Sequence, residues 1–216
     1  MMIRITKTVL FIPALLFSTL TVAQTTLSLS AGLAASWQST KLSSQRYTTH
    51  PLFAPSANVA VDIPLGSQWS IQPALGFIQK GGDFPLDYTG PGSGGQTLRI
   101  NELEVAVRAR YRKTGKRLDT YLALGPYAGF LLSKKITDNG QTIDDNSPYR
   151  AAEFGLSLAP GVEMHIKSAL LFIEARYLLG ITQVNDDSDS PVLVKNRLHS
   201  AGLSAGFRFP VGGNKE

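Results

Sequence analysis

The residues of this chain best suited to chemistry are carboxylates and guanidiniums spaced an even number of positions apart. Glu102, Glu104, Arg108 and Arg110 share one parity of a single stretch; Glu153 and Glu163, then Glu174 and Arg176, and finally Arg208 recur in three others. In extended chain, even spacing puts such groups on one face. Both signs occur there, and an isolated charge taken out of water costs several kcal/mol, so buried groups of this kind must pair. The pattern predicts a Glu and Arg network filling an interior, not a reactive centre.

Other candidates are poorer. The three histidines, His50, His165 and His199, fall in a loop and two strands, without metal-ligand spacing. His165, beside Glu163 on the polar face, reads as a satisfied interior histidine. An outer-mouth hydrolase would have to be assembled from His50 and the acids Asp83, Asp87, Asp144 and Asp145, and nothing local demands one. GPGSGG, Gly90 to Gly95, is followed neither by a helix nor by a Lys-Ser or Lys-Thr pair, so it reads as a flexible loop and not a phosphate cradle. The acidic clusters Asp138 to Asp145 and Asp186 to Asp189 lack EF-hand spacing and read as solvated loops. No catalytic residue, metal or cofactor is expected.

The elements that position these groups are strands. Glu153 to Thr182 contains two runs of strict alternation joined only by Lys167 and Ser168. Phe154, Leu156, Leu158, Val162, Met164 and Ile166 share one face of the first run; Leu171, Ile173, Ala175, Tyr177, Leu179 and Ile181 share one face of the second. Each run matches the roughly ten residues with which a tilted strand crosses a bilayer. The same pattern predicts strands over Thr25–Trp37, Ala57–Ile63, Trp69–Phe77, Leu98–Tyr111, Thr120–Leu132 and Leu198–Phe209. Pro73 predicts a bulge. In Thr120–Leu132 large apolar residues occupy both parities; Leu122, Leu124, Phe130 and Leu132 are taken as outward, with the register left open.

Lys41–Pro55, Gly81–Gln96, Ser133–Tyr149 and Gln183–Asn196 read as long polar loops, alternating with the short turns Pro64–Gln68, Arg112–Arg117 and Lys167–Ser168. Long loops outside and short turns on the periplasmic side characterise outer-membrane barrels. A secreted lipocalin-like barrel would show similar alternation. The polar face, however, is rich in Gly, Ser and Ala, which suit a narrow interior better than a wet surface. Trp69, Tyr111 and Phe209 near the turn ends, and Trp37, Phe77 and Phe154 near the loop ends, predict two aromatic girdles.

The chain opens with Arg4 and Lys7, an apolar run from Val9 to Phe17, and Thr21 and Ala23 at the −3 and −1 positions of a cut, predicting a signal peptide over 1–23. A barrel domain over 24–210 and a short tail over 211–216 complete the expected organisation. The net charge is only +5, without a basic stripe carrying interleaved aromatics, so no nucleic-acid partner is expected. Cysteine is absent, which removes disulfides and thiolate metal sites.

FIQKGGD at Phe77–Asp83, INELEVAVRARYR at Ile100–Arg112, LGPYAGFLLSKK at Leu124–Lys135, EFGLSLAPGVE at Glu153–Glu163, FIEARYLLGIT at Phe172–Thr182 and NRLHSAGLSAGFRF at Asn196–Phe209 occur in order across nearly all the expected mature chain. In this the sequence resembles the small outer-membrane β-barrel family widespread in Bacteroidetes, often labelled porin-like or PorT-like. The resemblance implies an outer-membrane location and one eight-stranded barrel, and it brings no catalytic motif. Such barrels commonly end on an aromatic residue that the barrel-assembly machinery recognises, whereas here PVGGNKE follows Phe209; Phe207, Arg208 and Phe209 are expected to suffice.

The expected fold is therefore all-β: an eight-stranded, antiparallel, up-and-down transmembrane β-barrel. Its expected function is structural or surface-interacting through the outer loops, without catalysis. A narrow porin-like channel is the alternative, and an outer-membrane enzyme the third reading. Expected partners are outer-membrane lipid, lipopolysaccharide and the assembly machinery, with the barrel itself monomeric.

Overall fold

A computed structural model describes residues 25–42, 45–84, 96–138, 141–144, 150–166, 168–182 and 194–211. The described residues form ten strands and no helix: β1 (Thr25–Leu42), β2 (Gln45–Thr48), β3 (Leu52–Pro64), β4 (Trp69–Phe84), β5 (Gln96–Lys113), β6 (Asp119–Asp138), β7 (Gln141–Asp144), β8 (Ala152–Ile166), β9 (Ala169–Gly180) and β10 (Val194–Val211). Eight of them pair antiparallel with their neighbours around a ring that β1 and β10 close, from Thr25 opposite Val211 to Leu42 opposite Val194. Closure leaves no edge, so the backbone groups of these strands are satisfied within the barrel, as a bilayer requires. β2 and β7 fold back on the loop ends of β1 and β6, outside the closed ring.

Alternation decides which side chains face outward. On β5, Ala106, Arg108 and Arg110 are buried, whereas Val105, Val107 and Tyr111 are exposed. β6 resolves in the same way, with Leu122, Leu124, Phe130 and Leu132 exposed on the outer face. The register left open in the sequence contains the irregularity. Asn101 pairs with Ser133 but Glu102 with Leu131, so Leu132 is the extra residue. Apolar residues occupy both parities because both faces use them: Leu122, Leu124 and Phe130 face out, while Tyr121, Tyr127 and Leu131 face in, Leu131 against Leu98, Ile100 and Leu198.

Three expectations are corrected. Pro73 makes no bulge: Ala60 with Ala74 and Ile63 with Ile71 keep one register, and the ladder to β3 drops the intervening pairs. The missing Pro73 N–H is thus accommodated by omitting contacts, without inserting a residue. The strands also run further toward the loop end than alternation of apolar residues suggested. Leu52–Pro55, Gly81–Phe84, Gln96, Ser133–Asp138 and Val194–Asn196, read as loop, are paired strand, and Gln45–Thr48 and Gln141–Asp144 add short hairpin arms. At that end the outward side chains become polar, so the hydrophobic signal stops before the ladder does. Finally, β5 extends through Lys113, which leaves a shorter turn than Arg112–Arg117.

The apolar outer belt has a visible upper limit on β4, β5 and β6. Outward-facing Gln79 donates to Asn101 Oδ1 at 2.9 Å, and Asn101 Nδ2 donates to Ser133 Oγ at 2.8 Å. Below this polar ladder stand Phe77 and Leu103, and at the turn end Trp69 packs on Tyr111 with ring centroids 5.0 Å apart.

Candidate functional site

The inward face forms a layered ionic core, supplied by six of the eight ring strands. In its turn-end half, Asp62 of β3 and Glu163 of β8 hold Arg110 of β5 and Arg208 of β10. Arg110 Nη2 lies 2.6 Å from Glu163 Oε2 and its Nη1 3.7 Å from Asp62 Oδ1. Arg208 Nε lies 3.0 Å from Asp62 Oδ2, and its Nη1 pairs with Glu163. Gln72 Nε2 donates to both oxygens of Asp62 at 3.1 Å, and Ser28 donates to Oδ2 at 3.2 Å. Each carboxylate thus meets charge-assisted donors, the condition under which buried ion pairs persist.

Further in, Arg108 Nη1 stands 3.4 Å from Glu174 Oε1, whose other oxygen accepts from Tyr121 at 3.0 Å, and Arg176 Nη1 stands 3.1 Å from Glu104 Oε1. Toward the loop end, Lys80 of β4 lies 2.8 Å from Glu102 and pairs with Glu153, which accepts from Tyr127 at 2.7 Å. The arrangement is tight: Arg108 and Lys80 are each 1% exposed, and Arg208 is 2% exposed.

Two tyrosines of β6 cross the lumen because glycines of β8 let them. Tyr121 is directly opposite Gly161 and Tyr127 opposite Gly155, and a Cβ at either glycine would run into the facing ring. The Tyr121 ring accepts Arg110 on its face, with Cζ 4.2 Å from the centroid, and Lys80 Nζ stands 5.0 Å from the Tyr127 centroid. Stacking a cation on each ring lets the tyrosines fill space between charges while their hydroxyls donate to carboxylates.

Glu102, Glu104, Arg108, Arg110, Glu153, Glu163, Glu174, Arg176 and Arg208 all lie on this inward face. Sequence reading missed Asp62 and Lys80, which occupy central places in two of the clusters. Both have the inward parity of their strands, shared with Ala60 and with Ala74 and Ile78, and parity alone would have identified them. Trp69, Phe77, Tyr111, Phe154 and Phe209 are exposed on the outer face. Trp37 stacks on His199, with centroids 5.9 Å apart, beside Tyr177, whose hydroxyl lies 3.2 Å from His199 Nδ1.

His165 is a correction: it keeps the inward parity but sits exposed at the turn-end mouth, because the barrel opens there instead of packing. His50 and Asp83 do meet, through an isolated backbone bridge with His50 N to Asp83 O at 3.0 Å and the reverse bond at 3.1 Å. Asp87, Asp145, Gly90–Gly95 and the 186–189 acids lie outside the described residues, as do the expected signal peptide over 1–23 and most of the tail. Among the described residues no cluster of three His, Cys, Asp or Glu side chains has metal-binding geometry.

Above Lys80 the lumen is closed by apolar packing. Leu98, Ile100 and Leu198 are buried together, with Phe84, Leu131 and Ile136 against them. An eight-stranded barrel has an interior just wide enough for side chains to fill.

A closed ring of this size, apolar outside and ionic within, defines an outer-membrane β-barrel of the small class. The profile of the outer membrane protein beta-barrel domain family matches residues 22–186, and the chain belongs to that family; it is a bacterial outer-membrane protein. No curated protein sequence matches it. Among solved structures, it is similar to the outer membrane protein OprG from Pseudomonas aeruginosa, with 12% identity, a TM-score of 0.57, and coverage of 88% of this chain and 97% of that one. Neisserial surface protein A gives 16% identity and a TM-score of 0.49 over 86% of this chain and 97% of that one. The outer membrane protease OmpT from Escherichia coli gives 12% identity and a TM-score of 0.43 over 88% and 98%. The likeness to OprG concerns the fold alone.

Proposed function

We propose that this protein is a structural and surface-interaction barrel, without catalysis, whose working part is its loop end. The observation that carries the reading is the sealed lumen below a raised strand platform. Buried Lys80, Arg108 and Arg208 and the Leu98, Ile100 and Leu198 cap leave no open path, while paired strand continues above the Gln79, Asn101 and Ser133 ladder through Thr97 opposite Thr137. Such a platform holds the outer loops clear of the lipid.

Lipid is the partner of the outer belt, and lipopolysaccharide of the rim above it, where Arg99 is exposed opposite Lys135 and Arg197 is exposed on β10. Ring closure supports a monomer, inserted by the barrel-assembly machinery after removal of residues 1–23. Membership of the porin-like or PorT-like branch from Bacteroidetes is part of this proposal and rests on the six ordered motifs.

Single-channel recording of the refolded mature protein in a planar bilayer tests the reading. The expected record is stable insertion without conductance. A steady conductance that changes in Glu104→Ala and Arg108→Ala variants would instead make the protein a narrow channel, because both residues lie in the lumen.

A further inference from the structure

The turn end of the barrel is not packed shut. It opens into a vestibule of about 630 Å³, within the range of small-molecule sites. Its walls include Asp62, Arg110, Arg112, Arg208 and His165. Arg110 and Arg208 form the floor, immobilised by Asp62 and Glu163. Arg112 differs: it has the inward parity of β5, its side chain is 36% exposed, and its nearest acid, Glu163 Oε1, is 3.8 Å away, beyond hydrogen-bond reach. The rim is ordered, since Arg112 N donates to Gln68 O at 2.8 Å and ties the β5 end to the β3–β4 turn.

Charge at this mouth is asymmetric. Arg110, Arg112 and Arg208 are matched by Asp62, Glu163 and Asp119, the last of which accepts from Gly115 N at 3.0 Å. Exposed Lys113, Lys116 and Arg117 then add a cationic surplus around the opening. Deeper in, Lys80, Arg108 and Arg176 face Glu102, Glu104, Glu153 and Glu174, one carboxylate in excess. An anion is therefore drawn to the mouth and repelled from the interior, so it binds and does not pass.

We infer that the vestibule is a binding site for a small polyanion bearing carboxylate or phosphate groups, entering from the periplasm and held by Arg112 above the Arg110 and Arg208 floor. This goes beyond the role proposed for the loop end and does not depend on it.

The test uses refolded full-length mature protein. Citrate and inorganic phosphate are titrated into it separately at constant ionic strength, and binding is followed by calorimetry. The expected result is saturable binding of at least one anion, weakened about fivefold by Arg112→Gln, the factor one partly exposed charge pair supplies, and largely restored by Arg112→Lys. Saturation by citrate alone identifies carboxylates, and by phosphate alone phosphates. Absence of saturation with either anion, or equal affinity in the Arg112→Gln protein, overturns the inference. Bilayer conductance is recorded separately, so failure here leaves the loop-end reading standing.

Discussion

The two halves of the lumen solve the problem of buried charge in different ways. At the turn end, Asp62 and Glu163 each contact both Arg110 and Arg208, so four charges from four strands form one closed set next to an open vestibule. At the loop end, a single ammonium, Lys80, serves both Glu102 and Glu153, under an apolar lid. The first arrangement is balanced and redundant. The second concentrates a surplus of negative charge on one cation and offsets it partly with the Tyr127 hydroxyl. Local pairing, not uniform chemistry, fills this interior.

The sharing at the turn end is also its weakness, because removing Glu163 leaves Asp62 as the one acid for two buried cations. Glu163→Ala should therefore give the largest loss, about 3–5 kcal/mol, the cost of an uncompensated buried charge; unfolding by denaturant in lipid vesicles measures it. A loss below about 1 kcal/mol would mean that water from the vestibule already solvates Arg110 and Arg208, and the contrast between the halves would fail.

Lys80→Met should cost somewhat less, roughly 2–4 kcal/mol, because Glu153 keeps the Tyr127 hydroxyl. Combining it with Glu102→Gln and Glu153→Gln should recover most of that loss. If the triple variant is no more stable than the single one, the loop-end cluster is not an electrostatic unit.

Gly161→Val should cost about 1–3 kcal/mol through overpacking against Tyr121, and should lower Arg110 anchoring without touching the loop end. The smallest effect is expected from Gln79→Ala, at about 1 kcal/mol or less for one partly buried hydrogen bond outside the lumen.

Much of this was legible in the residues. Alternation in Leu98–Tyr111 and Glu153–Thr182 predicts strands because a two-residue period has one structural meaning where one face is apolar. The same parity puts Glu104 and Arg108 inward. It was not legible that Gly81–Phe84 and Ser133–Asp138 continue as strand, since above the lipid belt neither face needs to be apolar and the period loses its hydrophobic mark. Nor could Pro73 be distinguished from a bulge, because a missing N–H can be met by dropping a ladder pair as well as by inserting a residue.

Residue types and their spacing are enough to specify an all-β chain with an apolar outside, a charged inside and a long-short rhythm of connections. Local period and composition are sufficient for that. Which acid meets which base depends on the closed ring, since Arg208 of β10 reaches Asp62 of β3 across β1 only through the β1–β10 closure. The folded ring also decides that His165 stands at an open mouth, not in a packed core, and that Leu132 is the bulged residue on which the parity of β6 turns. These depend on register and closure, which are properties of the whole ring and leave no mark on any single strand.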